Sequence, residues 1–283
     1  MPFPRRLIAG VRSGTKNFPL SKRMKLDEAY EDHKVFRQLS DYSDFYKSLS
    51  FSVFGFVTLG TKAVCNIDSY VYSSVHGTLE SIKHALLNRR ISDAYALLRR
   101  YYDSAIINVY SNLYLKNNLT IANFVVDQIQ NWLEGKNRLP EYRVMSNYIR
   151  ASAELAKLNT LLYADTTYKE IRDRCNDFTH YNFYRNVLFN DNEVFLNRTR
   201  TLEGFSKDLD NIMIFHLSYL FSLNEHYMMS SDYVDSLECG STPPKDSQYF
   251  VAPFVQEIFD SVIKKNRMDI ATELMNSTDM KLE

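Results

Sequence analysis

Hydrophobic side chains recur along most of this chain at steps of three and four residues, the spacing that places them on one face of an α-helix. After Tyr30, the stripe Val35, Leu39, Tyr42, Phe45 and Leu49, set among acids and bases, predicts an amphipathic helix within residues 26–50. Residues 51–88 carry few charges before Glu80. Their Val57, Val64, Ile67, Val71, Val75, Leu79, Ile82 and Leu86 keep a helical period, which predicts a buried central helix. Gly55, Gly60 and Gly77 weaken it by about 1 kcal/mol each relative to alanine, so a break is expected near Gly60. Asn88 to Ser92 reads as a turn. Ser92 and Asp93 then offer N-cap oxygens to a helix running to about Asn117, with the core stripe Tyr95, Leu98, Tyr102, Ala105, Val109 and Leu113.

Further helices are predicted from Thr120 to Glu134, ended by Gly135, and from Pro140 to Tyr163. Another follows a cap at Asp165 or Thr166, and one more covers residues 201–228. Residues 181–200, rich in Asn and aromatics, read as an irregular loop. The expected organisation is an all-α bundle: a basic N-terminal tail over 1–25, a helical domain over 26–228, a linker over 229–250 with Pro243 and Pro244, and a C-terminal helical extension over 251–283.

Composition agrees with that class. The 8 Gly and 7 Pro in 283 residues are too few for the tight turns of an all-β sandwich. With 45% hydrophobic and 24% charged residues, the chain can build one large core. Cys65, Cys175 and Cys239 are odd in number and far apart, with no histidine at ligand spacing, so neither a disulfide framework nor a zinc site is indicated. No glycine-rich nucleotide loop, serine-hydrolase elbow or H-E-x-x-H occurs, and no metal or cofactor is called for. No uninterrupted apolar stretch approaches the roughly 18 residues that span a bilayer; Phe51 to Leu59 is broken by Ser52, Gly55 and Thr58. A soluble protein of the cytoplasm, with no membrane partner, is the expectation.

Charge is balanced overall but unevenly placed. Arg5, Arg6, Arg12, Lys16, Lys22, Arg23 and Lys25 stand in the first 25 residues without an acid. Such a leader suits a nucleic-acid arm, a transit peptide or a flexible solvated tail. Pro2, Pro4, Gly10, Gly14 and Pro19 break any amphipathic helix there, which favours the tail.

One segment suggests chemistry. Residues 172–185 read RDRCNDFTHYNFYR, with Arg174 and His180 separated by five residues and Asn176 between them. Cleaving RNA without a metal requires taking a proton from a 2′-hydroxyl, giving one to the leaving 5′-oxygen and stabilising a phosphorane. Histidine, with an ordinary pKa of about 6.5, suits the proton transfers, and the planar arginine fork suits phosphate oxygens. On a straight helix, however, a six-residue step leaves Arg174 and His180 about 120° apart and about 9 Å along the axis. Asn176 and His180 are i,i+4 neighbours, and Arg172 lies on the same row as a competitor for the phosphate. A plainer alternative is that Arg174 pairs with Asp173 or Asp177 at the surface, worth at most about 1 kcal/mol.

The segment resembles the signature of the HEPN superfamily, an arginine followed after four to six residues by a histidine. Upstream, DAYALLRRYYDSAIINVY, Asp93 to Tyr110, is similar to a helix of HEPN-like and abortive-infection-type proteins that reads alanine, leucine-leucine-arginine, aromatic, acid. The resemblance covers about residues 50–220. It implies a HEPN-like helical bundle acting as a metal-independent endoribonuclease on RNA, with Arg174 and His180 catalytic and Asn176 supporting. It also implies a homodimer whose two motifs line one cleft, and a role as a toxin or anti-phage abortive-infection effector with an antitoxin or regulatory partner. The second position after the histidine, where some HEPN toxins carry a modified tyrosine, is Asn182, flanked by Tyr181 and Tyr184.

Two other readings stand beside this one. A non-catalytic dimerisation or interaction module would pair Arg174 with an acid and bury His180; an RNA-binding adaptor would use the basic leader. Tyr181, Phe183 and Tyr184 either stack on unpaired bases or pack inside. His76, His84, His216 and His226 lack companions at ligand spacing and read as core or capping residues.

Overall fold

The computed structural model describes residues 28–191, 196–229, 235–236, 238–242, 251–280 and 282–283. The basic leader and most of the linker over 229–250 lie outside the described residues. Among the described residues the chain is helical: α1 (Val35–Ser52), α2 (Ile67–Leu87), α3 (Ile91–Asn118), α4 (Asp127–Leu133), α5 (Tyr142–Arg150), α6 (Ala156–Leu162), α7 (Thr167–Thr179), α8 (Tyr184–Leu188) and α9 (Thr199–Leu223). A 3-10 turn (Glu225–Met228) follows, then α10 (Pro253–Ile258), a π-helical turn (Phe259–Lys264) and α11 (Met268–Ser277). The all-α expectation holds. No helix among the described residues is long and apolar enough to cross a membrane.

The helix expected over 51–88 is shorter, because local side chains restart it. Thr58 Oγ1 accepts the Ile67 amide at 2.9 Å, and Asn66 Oδ1 accepts those of Asp68 and Ser69 at 2.8 and 3.4 Å. These bonds satisfy the free donors of a new first turn. Between the helices Gly60 takes φ +82°, its carbonyl accepts the Val126 amide at 2.8 Å, and a Cβ there would come within 2.9 Å of Leu115. The intervening segment is therefore a non-helical loop, and Val57 and Val64, expected in the core, are exposed, Val64 at 95%.

The centre belongs to α3 and α9 instead of α2. α3 packs on α2, α5, α7 and α9. In α9 every residue from Ile212 to Phe221 is buried, as a helix apolar on all sides must be; no Asp, Glu, Lys or Arg occurs between Asp210 and Glu225. Its one histidine, His216, joins a polar chain through the core. His216 meets Tyr46 of α1 at 2.6 Å and Asn108 of α3 at 3.0 Å, and Asn108 donates to Asp68 of α2 at 2.7 Å. Four helices are thus keyed to one another by directional bonds as well as by packing. The C-terminal helices share the same core: α10 packs on α1 and α11 on α6 and α9, with Val255, Phe259, Ile263, Ile270 and Leu274 fully buried.

Candidate functional site

Helix α7 carries the motif, and its buried stripe Tyr168, Ile171, Cys175 and Phe178 fixes its rotation. Phe178 stacks on Tyr95 of α3 with ring centroids 4.1 Å apart. At its start Asp165 Oδ1 accepts the Thr167 amide at 2.8 Å, whereas Thr166, at the N-cap position, makes no capping bond and donates its Oγ1 to the Glu170 side chain at 2.6 Å. At about 100° per residue, Arg174 and Asn176 fall on opposite flanks of the buried Cys175. Each meets a different helix.

Arg174 turns toward α9. Its Nε donates to Asp208 Oδ2 at 2.7 Å and its Nη2 to Oδ1 at 3.1 Å, a two-point pair. The arginine is 42% exposed and the aspartate 4%. Burial pushes the Asp208 carboxyl above the usual range, against the pull of Arg174, while the hydrogen bonds that Arg174 donates to Asp208 raise the guanidinium pKa. The neighbouring acids Asp173 and Asp177 are not the partners of Arg174.

Asn176 turns toward α3, where its Oδ1 accepts from Arg99 Nη1. Arg99 also donates to Asp103 at 3.0 Å, and Arg172 donates to the other oxygen of Asp103 at 2.7 Å. The Arg172 guanidinium lies over the Tyr142 ring of α5, 3.1 Å from its centroid. Arg172 is therefore bound into the helix packing and is no bare surface charge.

His180 stands at the C-terminal end of α7 and is exposed. The turn beyond it is closed by the Asn182 amide donating to the Asp177 carbonyl at 3.0 Å, with Tyr181 at φ +51°. Tyrosine occupies the left-handed position that glycine usually fills after a helix, at a cost on the order of 1 kcal/mol. Its hydroxyl accepts from Asn190 Nδ2 at 3.0 Å. Tyr181, Phe183 and Tyr184 are exposed, Tyr184 at 76%, so the rings beside the histidine do not pack inside this chain.

The three candidate residues are thus distributed. Among the described residues no hydrogen bond joins the side chains of Arg174, Asn176 and His180 to one another; the first two are committed to α9 and α3, and the third faces outward. Asp208, Arg99, Asp103 and Tyr142 are the partners that spacing along the chain did not reveal. Arg99 and Asp103 do fall within the quoted Asp93 to Tyr110 segment, so the two segments singled out in the sequence pack on each other as α3 and α7. Burial pushes the Cys175 thiol up to about 12, which removes it as a nucleophile. Elsewhere His76 bonds Ser43 at 2.7 Å, tying α2 to α1, and His33, just before α1, meets Glu203 of α9 at 3.1 Å. Among the described residues no group of three or more His, Cys, Asp or Glu side chains is placed to hold a metal ion. No protein-family model, curated protein or solved structure matches the chain.

Proposed function

We propose that the exposed end of α7 is the working surface of a HEPN-type, metal-independent endoribonuclease, completed when two copies of the chain bring their motifs together. The observation that carries this reading is the exposed His180 beside three exposed aromatic rings. An imidazole open to solvent can accept the 2′-hydroxyl proton, and its counterpart in the second copy can protonate the leaving 5′-oxygen. The exposed rings beside it supply apolar surface on which the second copy can seat. Arg174 keeps Nη1 outside its pair with Asp208, and that nitrogen is the one to face the phosphorane, with Asn176 in support. The packing of α3 on α7 supports the resemblance from which the RNA substrate and the toxin or defence role, with its antitoxin partner, are drawn.

A specific observation favours the second reading, a non-catalytic interaction module. Asp208 holds Arg174 with two bonds, so the arginine has a structural use that needs no substrate.

The test is RNA cleavage by the purified protein. His180→Ala removes an exposed side chain, so it should leave melting and helical content unchanged while lowering cleavage by about a hundredfold or more. Wild-type activity should survive EDTA and leave 2′,3′-cyclic phosphate or 3′-phosphate ends. Arg174→Ala alone is a poor probe: it strands the buried Asp208, at a cost on the order of 2 kcal/mol after allowing for the exposure of the arginine. Arg174→Met combined with Asp208→Leu removes the cation without leaving a buried charge, and it too should abolish cleavage. Cleavage that persists in His180→Ala, or that the wild type lacks, leaves the interaction module as the function.

A further inference from the structure

A cavity of about 300 Å³ opens between the loop at 57–59, the start of α2, the last turns of α3 and the junction of α9 with the 3-10 turn. Leu115, Leu119 and Leu223 give it apolar wall, and its polar groups include Asp68, Asn112, Asn224, Lys116 and His226.

Asp68 is 2% exposed and belongs to none of the ion pairs among the described residues. Its Oδ1 accepts from Asn108 and Asn112 at 2.7 and 3.0 Å, and its Oδ2 accepts from Tyr227 at 3.1 Å. Oδ2 therefore keeps one acceptor position unused. Neutral donors compensate only part of the cost of burying a carboxylate, and burial accordingly holds its pKa up at about 6. The lysine on this cavity, Lys116, is turned to Glu154.

Independently, Asn224 is 8% exposed and lines the same cavity, and its Nδ2 has no hydrogen-bond partner among the described residues. A buried amide donor without a partner costs on the order of 1–3 kcal/mol unless something accepts from it. One carboxylate lacking a cation and one amide lacking an acceptor thus line one cavity of the size that takes small molecules, with leucines on part of its wall.

We propose that this cavity binds a small primary amine that also carries a hydrogen-bond acceptor, the ammonium seated on Asp68 Oδ2 and the acceptor on Asn224 Nδ2, with an apolar body against the leucines. The site is separate from the α7 surface and does not depend on the nuclease reading.

The test uses three probes of one shape: 2-phenoxyethylamine, neutral 2-phenoxyethanol and anionic phenoxyacetate, titrated into the full chain by calorimetry near neutral pH. The amine should bind at least about tenfold tighter than either partner. 3-Phenylpropylamine, which lacks the ether oxygen, should bind more weakly than 2-phenoxyethylamine. Asp68→Asn should erase the preference for the amine. Leu59→Trp, at an exposed position on the rim, should weaken all probes while melting stays unchanged. If Asp68→Asn does not fold, the charge series on the wild type together with Leu59→Trp decides. Equal affinity for the three charge forms, amine binding untouched by Asp68→Asn or Leu59→Trp, or no binding at all overturns the proposal.

Discussion

His216 sits wholly inside the bundle, and its protonation state follows from its neighbours. Asn108 uses its Nδ2 on Asp68, so its Oδ1 faces the imidazole; His216 then donates from Nε2 and accepts from the Tyr46 hydroxyl at Nδ1. Burial pushes its pKa from 6.5 down to about 3, which keeps it neutral. The unfolded chain takes up this proton near pH 6.5 and the folded chain only near pH 3, so the stability that neutral His216 supplies is full above 6.5 and drains as pH falls. Asp68 has the opposite sign: raised from 3.8 to about 6, it favours the folded state at low pH and loses that contribution as pH rises through 6. The wild-type curve mixes the two. A comparison with His216→Gln isolates the histidine: between pH 7 and pH 4 the stability gap should move in favour of the variant by about 3 kcal/mol. Urea midpoints at several pH values measure this, and parallel curves for the two proteins would refute it.

Helix α3 begins with a borrowed cap. Its N-cap position is Arg90, whose side chain makes no capping bond, and the amides of Ser92 and Asp93 go to Asn190 Oδ1 at 3.0 and 3.2 Å. Asn190 Nδ2 donates to Asp93 at 2.7 Å and to Tyr181, and Ser92 Oγ donates to the Asn186 carbonyl. The turn after α7 is thereby tied to the start of the central helix. Asn190→Ala should cost about 1–2 kcal/mol, in the range of a lost N-cap, read as a lower urea midpoint; an unchanged midpoint would show that water replaces the cap. Ser92 and Asp93, expected to cap the helix, instead lie within its first turn, and the capping atom comes from 97 residues away in the case of Asp93. The same limit explains the other differences. Apolar periodicity revealed α1, α3 and α9, and a capping pattern α7, because both signals are local. They did not reveal that Asn66 restarts a helix or that residues 151–155 separate α5 from α6, whereas the break expected near Gly60 is present. Arg174, Asn176 and His180 were legible as residue types at a spacing; their partners Asp208 and Arg99 were not, since nothing along the chain pairs α7 with α9 or α3.

The molecule as a whole leaves apolar rings outside at the place where the proposed chemistry needs a second histidine. Tyr181, Phe183 and Tyr184, with Val187 of α8 nearby in sequence, are exposed around the end of α7. Exposed apolar surface gains about 25 cal/mol for each Å² withdrawn from water, so a self-complementary contact about a two-fold axis would cover it and bring two His180 side chains to the same region. The expected species at micromolar concentration has twice the 33.1 kDa chain mass by light scattering. Because Phe183 and Tyr184 are exposed, changing both to Asp should leave the fold and melting intact while placing like charges across the axis, which yields monomer and abolishes RNA cleavage together. His180→Ala, in contrast, should stay dimeric while inactive, which separates assembly from proton transfer. A wild-type monomer, or a dimer that tolerates both acidic substitutions, would place the contact elsewhere and remove the composite site.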